Sequence, residues 1–312
     1  MFFIPPLGVT LFWNILIPVA PGLLVVGTGV WRNVCPLATT ALLPDRFGFS
    51  MKKKLSAKQR SLFNLIGVIA LLLIIPLRHV IFNRSGVDTA LLIITISLIA
   101  FTRGLIYERK SGWCSGMCPA HGVEILYGSG VAFSLPNTQC KECVKCSVPC
   151  PDSTPNGTVQ TSQKGWSQKV VEYLLVGAFP GYVWGWFHIP DYTGTSGWNN
   201  LLFIYGIPIL SAIISLDIYL VLKQFVSHEG RKLLVSLFAA AAVSCYYWFR
   251  LPQLLGFNVH NTNSTLVDLT NTLPTWTPIV LNIITTTFFV WWMVIRNKFK
   301  RAWSVRPTYA RK

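Results

Sequence analysis

Long apolar runs separated by short polar segments dominate the chain and predict membrane-spanning helices. About 20 residues rising 1.5 Å each are needed to cross a hydrocarbon core of roughly 30 Å, and seven runs approach that length. The predicted helices cover residues 7–30, 61–82, 89–107, 170–188, 201–222, 233–250 and 277–296. Three contain a proline (Pro76, Pro180 and Pro208), which membrane helices tolerate better than soluble ones. The pattern predicts an all-α polytopic membrane protein.

Composition agrees with this prediction. Hydrophobic residues make up 52% of the 312 positions and charged residues only 12%, whereas soluble domains carry about 25% charged residues. Twelve Trp and ten Tyr fit aromatic belts at the two membrane interfaces. The first basic residue, Arg32, follows the first apolar run, so we expect that run to remain as a helix and not to be a cleaved signal peptide.

The basic residues lie almost entirely on one side of the predicted helices. Of 27 Lys and Arg, 24 fall in segments 31–60, 103–169, 223–232 and 296–312, and the loops on the opposite side hold only Arg84. Because cytoplasmic loops carry the excess of Lys and Arg, the pattern predicts a bacterial inner-membrane protein with its N-terminus outside and its C-terminus in the cytoplasm. This topology explains the net charge of +16 and makes nucleic-acid binding unnecessary as an explanation.

Four cysteines form the most specific motif in the chain. The run CKECVKCSVPCP contains Cys140, Cys143, Cys146 and Cys150, with the spacing by which bacterial ferredoxins bind [4Fe–4S] clusters. Structural zinc sites prefer two separated pairs of ligands. The run therefore predicts an iron–sulfur cluster in the reducing cytoplasm, where disulfides are rare.

Three further cysteines fall on the same predicted side. Cys35 precedes Pro36, and Cys114 and Cys118 lie in the sequence WCSGMCP. A C-x₃-C-P motif after a helix, followed by a ferredoxin run, resembles the membrane iron–sulfur proteins of the NapH/NosR/CcoG type, over roughly residues 31–152. The resemblance implies cluster binding and a role in quinol oxidation, electron supply to reductases or maturation systems, or metal-centre assembly.

Three arrangements of these seven cysteines are open at this point. In the first, the run of four holds one cluster, and Cys114 and Cys118 form a redox-active dithiol. In the second, Cys118 or Cys35 is the fourth ligand of the first cluster. Cys150 then joins the remaining two around a second centre, a [3Fe–4S] cluster or a [4Fe–4S] cluster with a ligand such as His121. In the third, Cys35, Cys114 and Cys118 are buried thiols.

These features predict three parts of the chain. Residues 1–107 hold helices one to three with the loop 31–60, residues 108–169 form a small cytoplasmic ferredoxin-like insert, and residues 170–312 hold helices four to seven with a basic tail.

Ionisable residues within the apolar runs are candidates for a membrane cofactor site, because they are costly to place in lipid. Asp217 lies inside the fifth predicted helix and is a candidate quinone or proton site, with a structural hydrogen bond as the alternative. His79 and His188 lie at helix ends. They are candidate haem or quinone ligands, although hydrogen bonds to neighbouring loops are the more common role.

The predicted function is a membrane-integral electron-transfer subunit that relays electrons between a cytoplasmic carrier or the quinone pool and a partner complex, respiratory or photosynthetic. Lys141, Lys145 and neighbouring basic residues could steer an acidic ferredoxin or flavodoxin. The alternative is a protein that uses its cluster and thiols for metalloenzyme assembly or redox sensing. The sequence shows no nucleotide-binding glycine loop, nucleophile elbow or H-E-x-x-H motif, so a complete enzyme is the weaker interpretation.

Overall fold

The computed structural model describes residues 3–27, 30–31, 34–108, 111–127, 165–192, 196–227, 230–257 and 265–296. Within these ranges the secondary structure is helical, apart from one isolated bridge between Lys53 and Tyr107. The labelled helices are α1 (Pro5–Val26), α2 (Pro36–Arg46), α3 (Lys58–His79), α4 (Gly86–Ile106), α5 (Pro119–Tyr127), α6 (166–187), α7 (Leu201–Phe225), α8 (Gly230–Leu254) and α9 (Thr277–Ile295).

Six of these helices are long and apolar enough to cross a membrane: α1, α3, α4, α7, α8 and α9. They correspond to six of the seven predicted spans, with ends shifted by a few residues, and they are the helices of a multi-pass membrane protein. The short helices α2 and α5 fall in segments predicted as loops. Each begins with a proline at its first turn, where the missing N–H costs no hydrogen bond.

The remaining predicted span, 170–188, is helical but is not one of those six. It is α6, which consists of α-helix over Trp166–Glu172, a π-helical segment over Tyr173–Ala178 and α-helix over Phe179–Phe187. Glycine, proline and aromatic residues lower its hydropathy. Most of its side chains from Val171 to Phe187 are buried or half-buried, so α6 packs against protein over much of its surface.

The chain divides into two compact units. The first unit comprises Met1–Pro21, Leu72–Leu92 and Val176–Ile295, and the second comprises Gly22–Leu71, Ile93–Leu175 and Arg296–Lys312. The predicted division into three sequence parts stays a prediction, since residues 128–164 lie outside the described ranges.

In the first unit, a stripe of glycines on α6 lies against α7. Gly177, Gly181 and Gly185 recur every four residues and so share one helix face. A Cβ atom at Gly181 would lie 2.0 Å from the carbonyl oxygen of Ser211. Ser215 crosses the same contact and donates a hydrogen bond of 2.7 Å to the Gly177 carbonyl. Small residues at this spacing allow two membrane helices to approach backbone to backbone.

In the second unit, two glycines bring separate chain segments into backbone contact. A Cβ at Gly104 of α4 would lie 2.1 Å from the Ala41 carbonyl oxygen on α2, and a Cβ at Gly67 of α3 would lie 1.8 Å from the Met117 carbonyl oxygen. No larger residue fits at either position without moving the backbone. The two contacts therefore position α2 and the segment around Met117.

The end of α4 is capped by residues 50–53. Ser50 Oγ donates to the Gly104 carbonyl at 2.8 Å, and the amides of Met51 and Lys53 donate to the Leu105 and Ile106 carbonyls at 2.7 and 3.0 Å. These bonds satisfy carbonyls that a helix end otherwise leaves without partners. The loop between α2 and α3 is thereby attached to α4.

We expect Gly181→Ala to lower the unfolding midpoint of the detergent-purified protein, because the new methyl group would overlap the Ser211 backbone. Overpacking typically costs about 1–3 kcal/mol. Gly206→Ala on α7 is the matched control, since a Cβ there meets no atom within 4 Å. Equal thermal unfolding curves for the two variants would contradict the proposed close contact.

Candidate functional site

Cys114 and Cys118 lie at one tight turn of the second unit. The chain forms a π-helical turn over Trp113–Met117 and then becomes extended at Cys118. The Cys118 amide donates to the Trp113 carbonyl at 2.8 Å, which closes the turn. Both side chains are half-buried. The Gly67 contact fixes this turn against α3, and Pro119 begins α5 directly after it.

Cys35 occupies an equivalent backbone position at the start of α2. Its φ and ψ are −64° and 118°, and those of Cys118 are −65° and 121°. A residue before proline favours this extended conformation, so both Cys-Pro pairs place a half-buried thiol at a helix start. The repeated geometry follows from the sequence pair itself.

The same apolar cluster holds α2 beside the turn. Its buried members are Ala41 of α2, Ala100 of α4 and Trp113. Partly buried side chains pack against it, namely Leu37, Ile96, Cys114, Met117 and Cys118. The two segments that carry the Cys-Pro pairs are therefore part of one packed region in the second unit.

The described thiols do not by themselves complete a metal site. No three His, Cys, Asp or Glu side chains within the described ranges lie close enough together to hold a metal ion. The predicted cluster ligands Cys140, Cys143, Cys146 and Cys150 lie outside those ranges. His121, a candidate ligand of a second centre, is buried in the first turn of α5.

Three buried N–H groups in or near the segment 112–122, which contains the Cys114–Cys118 turn, have no acceptor within the described part of the chain. They are Nε1 of Trp113, Nδ2 of Asn64 on α3 and Nη2 of Arg103 on α4. Leaving such a group unsatisfied costs about 1–3 kcal/mol. Arg60 Nε, one turn before Asn64, is a further group of this kind in the second unit.

Arg103 is held firmly in this position. Its guanidinium carbon lies 3.6 Å from the centre of the Phe63 ring and 4.8 Å from that of Tyr107. Its Nε is 3.4 Å from the carbonyl oxygen of Gly112, two residues before Cys114. The Asn64 side chain lies beside Gly122 of α5. Its oxygen atom would be 3.3 Å from a Cβ atom added to that glycine. All three donors thus border residues 112–122.

The donor set fits an anionic, thiolate-bound metal group. Thiolates and cluster sulfides are negatively charged acceptors, and hydrogen bonds to them are a recognised means of tuning a cluster. A segment that carries two thiols and has three such N–H groups in it or beside it matches that chemistry. The described side chains that would suit such a group are Cys114, Cys118 and the three donors.

A separate cluster of buried charges lies in the first unit. His79 Nδ1 pairs with the Asp191 carboxylate, and His79 Nε2 lies 3.2 Å from the carbonyl oxygen of Trp186. Both ring nitrogens of His79 therefore face oxygen atoms of the protein. The Asn83 amide donates to both Asp191 oxygens at 3.0 Å.

The environment of Asp191 favours its charged form. Burial alone would raise the pKa of this carboxyl, but the hydrogen bond and charge of His79, the hydrogen bond of Asn83 and the charge of Arg78 together hold it below the ordinary value. The Asp191 carboxyl is therefore ionised at neutral pH.

Two buried arginines complete this charge cluster. Arg78 lies 4.1 and 4.9 Å from the ring centres of Trp13 and Trp186, and its Nε donates to Asn83 Oδ1 at 3.1 Å. Arg250 of α8 is 2% exposed.

The contacts of Arg250 join α8 to α1. Its Nη2 donates to the Trp13 carbonyl at 2.7 Å and to Asn14 Oδ1 at 2.6 Å. The hydroxyl of Tyr246, one turn away on α8, interacts electrostatically with the same guanidinium. Together, these charged and aromatic contacts connect α1, the end of α3, α8 and the segment after α6.

The structure gives the two histidines that were predicted as cofactor ligands different surroundings. His79 is buried, with protein acceptors at both ring nitrogens. His188 is exposed, with Nδ1 2.7 Å from the Trp184 carbonyl oxygen and its ring 3.9 Å from that of Trp184. Each histidine thus engages protein groups, and their roles in haem or quinone binding stay predictions.

Asp217 lies on the exposed face of α7. The opposite face, which includes Ser211 and Ser215, packs on α6. The exposed neighbours Leu210, Ile213 and Ile214 are apolar. This carboxylate therefore lies within an apolar helix surface, and its predicted quinone or proton role stays a prediction.

Sequence reasoning did not identify Asp191, Asn83 and Arg250 as parts of a site. Arg78 and Arg250 each lie near the end of an otherwise apolar run. In the sequence they were considered only as part of the charge distribution that predicts topology, and not as site residues. Asp191 follows Ile189-Pro190 in a polar segment and carries no local signal, because its partner His79 is 112 positions away.

Comparison with known proteins identifies no relative. No protein-family model matches the chain, and neither known sequences nor solved structures give a significant match.

We expect Asp191→Asn to destabilise the protein at pH 7, because it removes the buried carboxylate that contacts His79 and Asn83 and whose charge offsets that of Arg78. Breaking a buried pair from one side typically costs about 3–5 kcal/mol. The depressed pKa also implies that the wild-type stabilisation is complete above the ordinary carboxyl pKa of 3.8 and is lost as the pH falls through the lower folded value. Unfolding midpoints in detergent between pH 3 and pH 8 measure both effects.

Asp268→Asn is the control for this experiment. That carboxylate is exposed and accepts hydrogen bonds only from Thr270 among the described residues, so we expect little change in the unfolding midpoint. An Asp191→Asn protein as stable as this control at pH 7 would contradict a structural role for the ion pair.

Proposed function

We propose that the chain is a membrane-integral iron–sulfur subunit that relays electrons between a cytoplasmic carrier or the quinone pool and a partner redox complex. The observation that carries the proposal is the ferredoxin run at Cys140–Cys150, in a chain whose other Cys-Pro pairs, at Cys35 and Cys118, belong to one packed region. The likeness to NapH/NosR/CcoG-type proteins points in the same direction.

Under this proposal, Cys140, Cys143 and Cys146 bind one [4Fe–4S] cluster in a ferredoxin-like insert between α5 and α6. In ferredoxins with two clusters, the cysteine before proline binds the other cluster. Cys118 or Cys35 would then complete the first cluster. Cys150 would bind a second centre together with the remaining two cysteines, which are Cys114 and whichever of Cys118 and Cys35 is not used by the first. The equivalent backbone of the two Cys-Pro pairs supports either as the remote ligand.

A bound cluster would supply one-electron chemistry. The chain would supply thiolates held in position by α2, α5 and the Gly67 contact, together with a partly apolar shell formed by Ala41, Ala100 and Trp113. Such a shell limits the access of water and thereby affects the potential of a metal centre. The chain's own residues thus bind, orient and shield the group.

We also propose that the chain works within a larger assembly. A carboxylate that faces lipid is costly, and such residues usually face other protein or a water-filled cavity. Asp217, on the exposed apolar face of α7, would be covered by a neighbouring subunit. Lys141 and Lys145, beside the predicted ligands, would attract an acidic soluble ferredoxin or flavodoxin.

A second candidate is an assembly or redox-sensing protein for a metalloenzyme. The observation that favours it is the position of Cys114 and Cys118 at a single closed turn, where two thiols could exchange with a disulfide. In that case the ferredoxin run would hold the only cluster, and the pair would show a reversible dithiol midpoint. The iron content decides between the two candidates.

The charge distribution supports seven crossings in the bacterial inner membrane, with α6 as the seventh. If α6 did not cross, the basic segments 223–232 and 296–312 would face outward, against the positive-inside rule. At 22 residues, α6 is long enough to cross, given about 1.5 Å per residue. The proposed topology therefore has the N-terminus outside and the clusters in the cytoplasm.

We expect Cys143→Ser to remove most of the iron bound by the first cluster, about four iron atoms per chain, and its reduced EPR signal. The measurement is iron and acid-labile sulfide in anaerobically purified protein, with EPR before and after dithionite. Cys245→Ser is the control, because Cys245 is buried in an apolar cluster with Val183, Trp186 and Phe187. A wild-type protein without iron would overturn the proposal.

Cys35→Ser tests the remote ligands in the same assay. If Cys35 binds a cluster, the variant should lose iron or change its EPR signal. Unchanged iron and EPR would remove Cys35 from the ligand set. Wild-type protein with seven or eight iron atoms per chain would support two centres, whereas about four would favour the dithiol alternative.

Alkaline phosphatase fusions test the topology. We expect enzyme activity from fusions after Ser85 and after Tyr192, and none from a fusion after Ser227, because only the first two would lie outside the cytoplasmic membrane. If α6 does not cross, the activities at Tyr192 and Ser227 would be reversed, while the fusion after Ser85 would stay active as the internal control.

A further inference from the structure

We propose that Trp113, Asn64 and Arg103 are hydrogen-bond donors to an anionic metal–thiolate centre at the Cys114–Cys118 turn, and that they raise its reduction potential. This inference rests on the proposed function and deepens it. It assigns the turn to a cluster instead of a dithiol and identifies residues that would tune it.

The first step is that the three donors share one location. They come from the turn itself, from α3 and from α4, yet each contacts residues 112–122 or lies within that segment. One atom of each, namely Trp113 Nε1, Asn64 Nδ2 and Arg103 Nη2, has no acceptor within the described residues. Because a buried N–H group without an acceptor is costly, the three groups indicate that an acceptor belongs near this segment.

The second step is that two of the three donors are held in place by packing. Trp113 is 6% exposed and is packed against Ala41 and Ala100. The guanidinium of Arg103 lies against the Phe63 and Tyr107 rings, and its Nε donates to the Gly112 carbonyl. We therefore expect the acceptor for these two N–H groups to lie close to the turn.

The third step concerns the chemistry of the acceptor. The turn itself carries two thiols, Cys114 and Cys118, which become thiolates when they bind a metal. An indole, an amide and a guanidinium would donate to thiolate or sulfide sulfur. A positive guanidinium also offsets the negative charge of a metal–thiolate group. A neutral dithiol would accept such bonds only weakly.

The consequence is a shift in potential. A reduced centre carries one more negative charge than an oxidised one, so hydrogen-bond donors stabilise the reduced form more strongly. Hydrogen bonds to the sulfurs are among the factors that set cluster potentials. Removing a donor should therefore make the centre harder to reduce.

The experiment is an EPR-monitored redox titration of the full chain, purified anaerobically in mild detergent and reduced with dithionite. Trp113→Phe and Asn64→Leu each remove N–H donors while keeping approximate shape. We expect unchanged iron content and a lower midpoint in each variant. If the ratio of reduced to oxidised centre at the wild-type midpoint potential falls tenfold, the midpoint potential of the variant is lower by about 59 mV for a one-electron centre.

Two controls sharpen the result. Trp166→Phe changes an indole of the same unit that is 72% exposed, and we expect no shift in midpoint. Cys118→Ser should remove or alter the same EPR signal that the donor variants shift, which identifies the centre. Arg103→Lys keeps the positive charge but loses the guanidinium geometry, so a lowered midpoint there would show that the hydrogen bond matters beyond charge.

The outcomes separate the two proposals. Normal iron with unmoved midpoints in Trp113→Phe and Asn64→Leu would overturn this inference and leave the proposed function intact. Survival of every EPR signal in Cys118→Ser would likewise overturn it. A wild-type chain without iron would overturn both.

Discussion

A buried polar group in an apolar helix bundle must find a partner, and the described structure depends on how that requirement is met. Water is not available inside hydrocarbon to satisfy a backbone or side-chain group. The first unit meets the requirement with protein: His79, Asp191 and Asn83 exchange hydrogen bonds, and Arg250 donates to the α1 backbone. Both units also keep some buried polar atoms without a partner among the described residues, such as Ser244 Oγ and Arg250 Nε in the first unit and Trp113 Nε1, Asn64 Nδ2 and Arg103 Nη2 in the second. Only the donors of the second unit lie in or near a described segment that carries two thiols, Cys114 and Cys118. The thiols therefore direct the search for a bound group to the second unit.

Close backbone contact is the second requirement, because lipid provides little hydrophobic drive for one apolar helix to prefer another. Glycine supplies that contact in both units. Gly177, Gly181 and Gly185 let α6 lie against α7, while Gly67 and Gly104 hold the Cys-Pro turn and α2. The same contact that packs α3 thus also fixes the position of Cys118, so packing and the candidate chemistry share one structural cause.

The sequence alone predicted most of the helices, since an apolar run long enough to cross a membrane has few alternatives. It identified α6 as a helix but not as an interior one. A helix that packs on protein can carry Gly, Pro and Trp where a lipid-facing helix would carry Leu and Ile. The helices α2 and α5 were missed because they are short and lie within polar segments, although Pro36 and Pro119 mark their starts.

The candidate sites show a sharper limit. Cysteine spacing is local, so the Cys-Pro pairs and the ferredoxin run could be found from the sequence. The donors around the turn and the His79–Asp191 pair could not, because each depends on residues from distant parts of the chain. Asn64 and Arg103 look like ordinary residues of two apolar helices until folding places them beside residue 112 or 122. This is why thiols could be assigned to metal binding from spacing, whereas the groups that would set the properties of the metal emerge only from the packed structure.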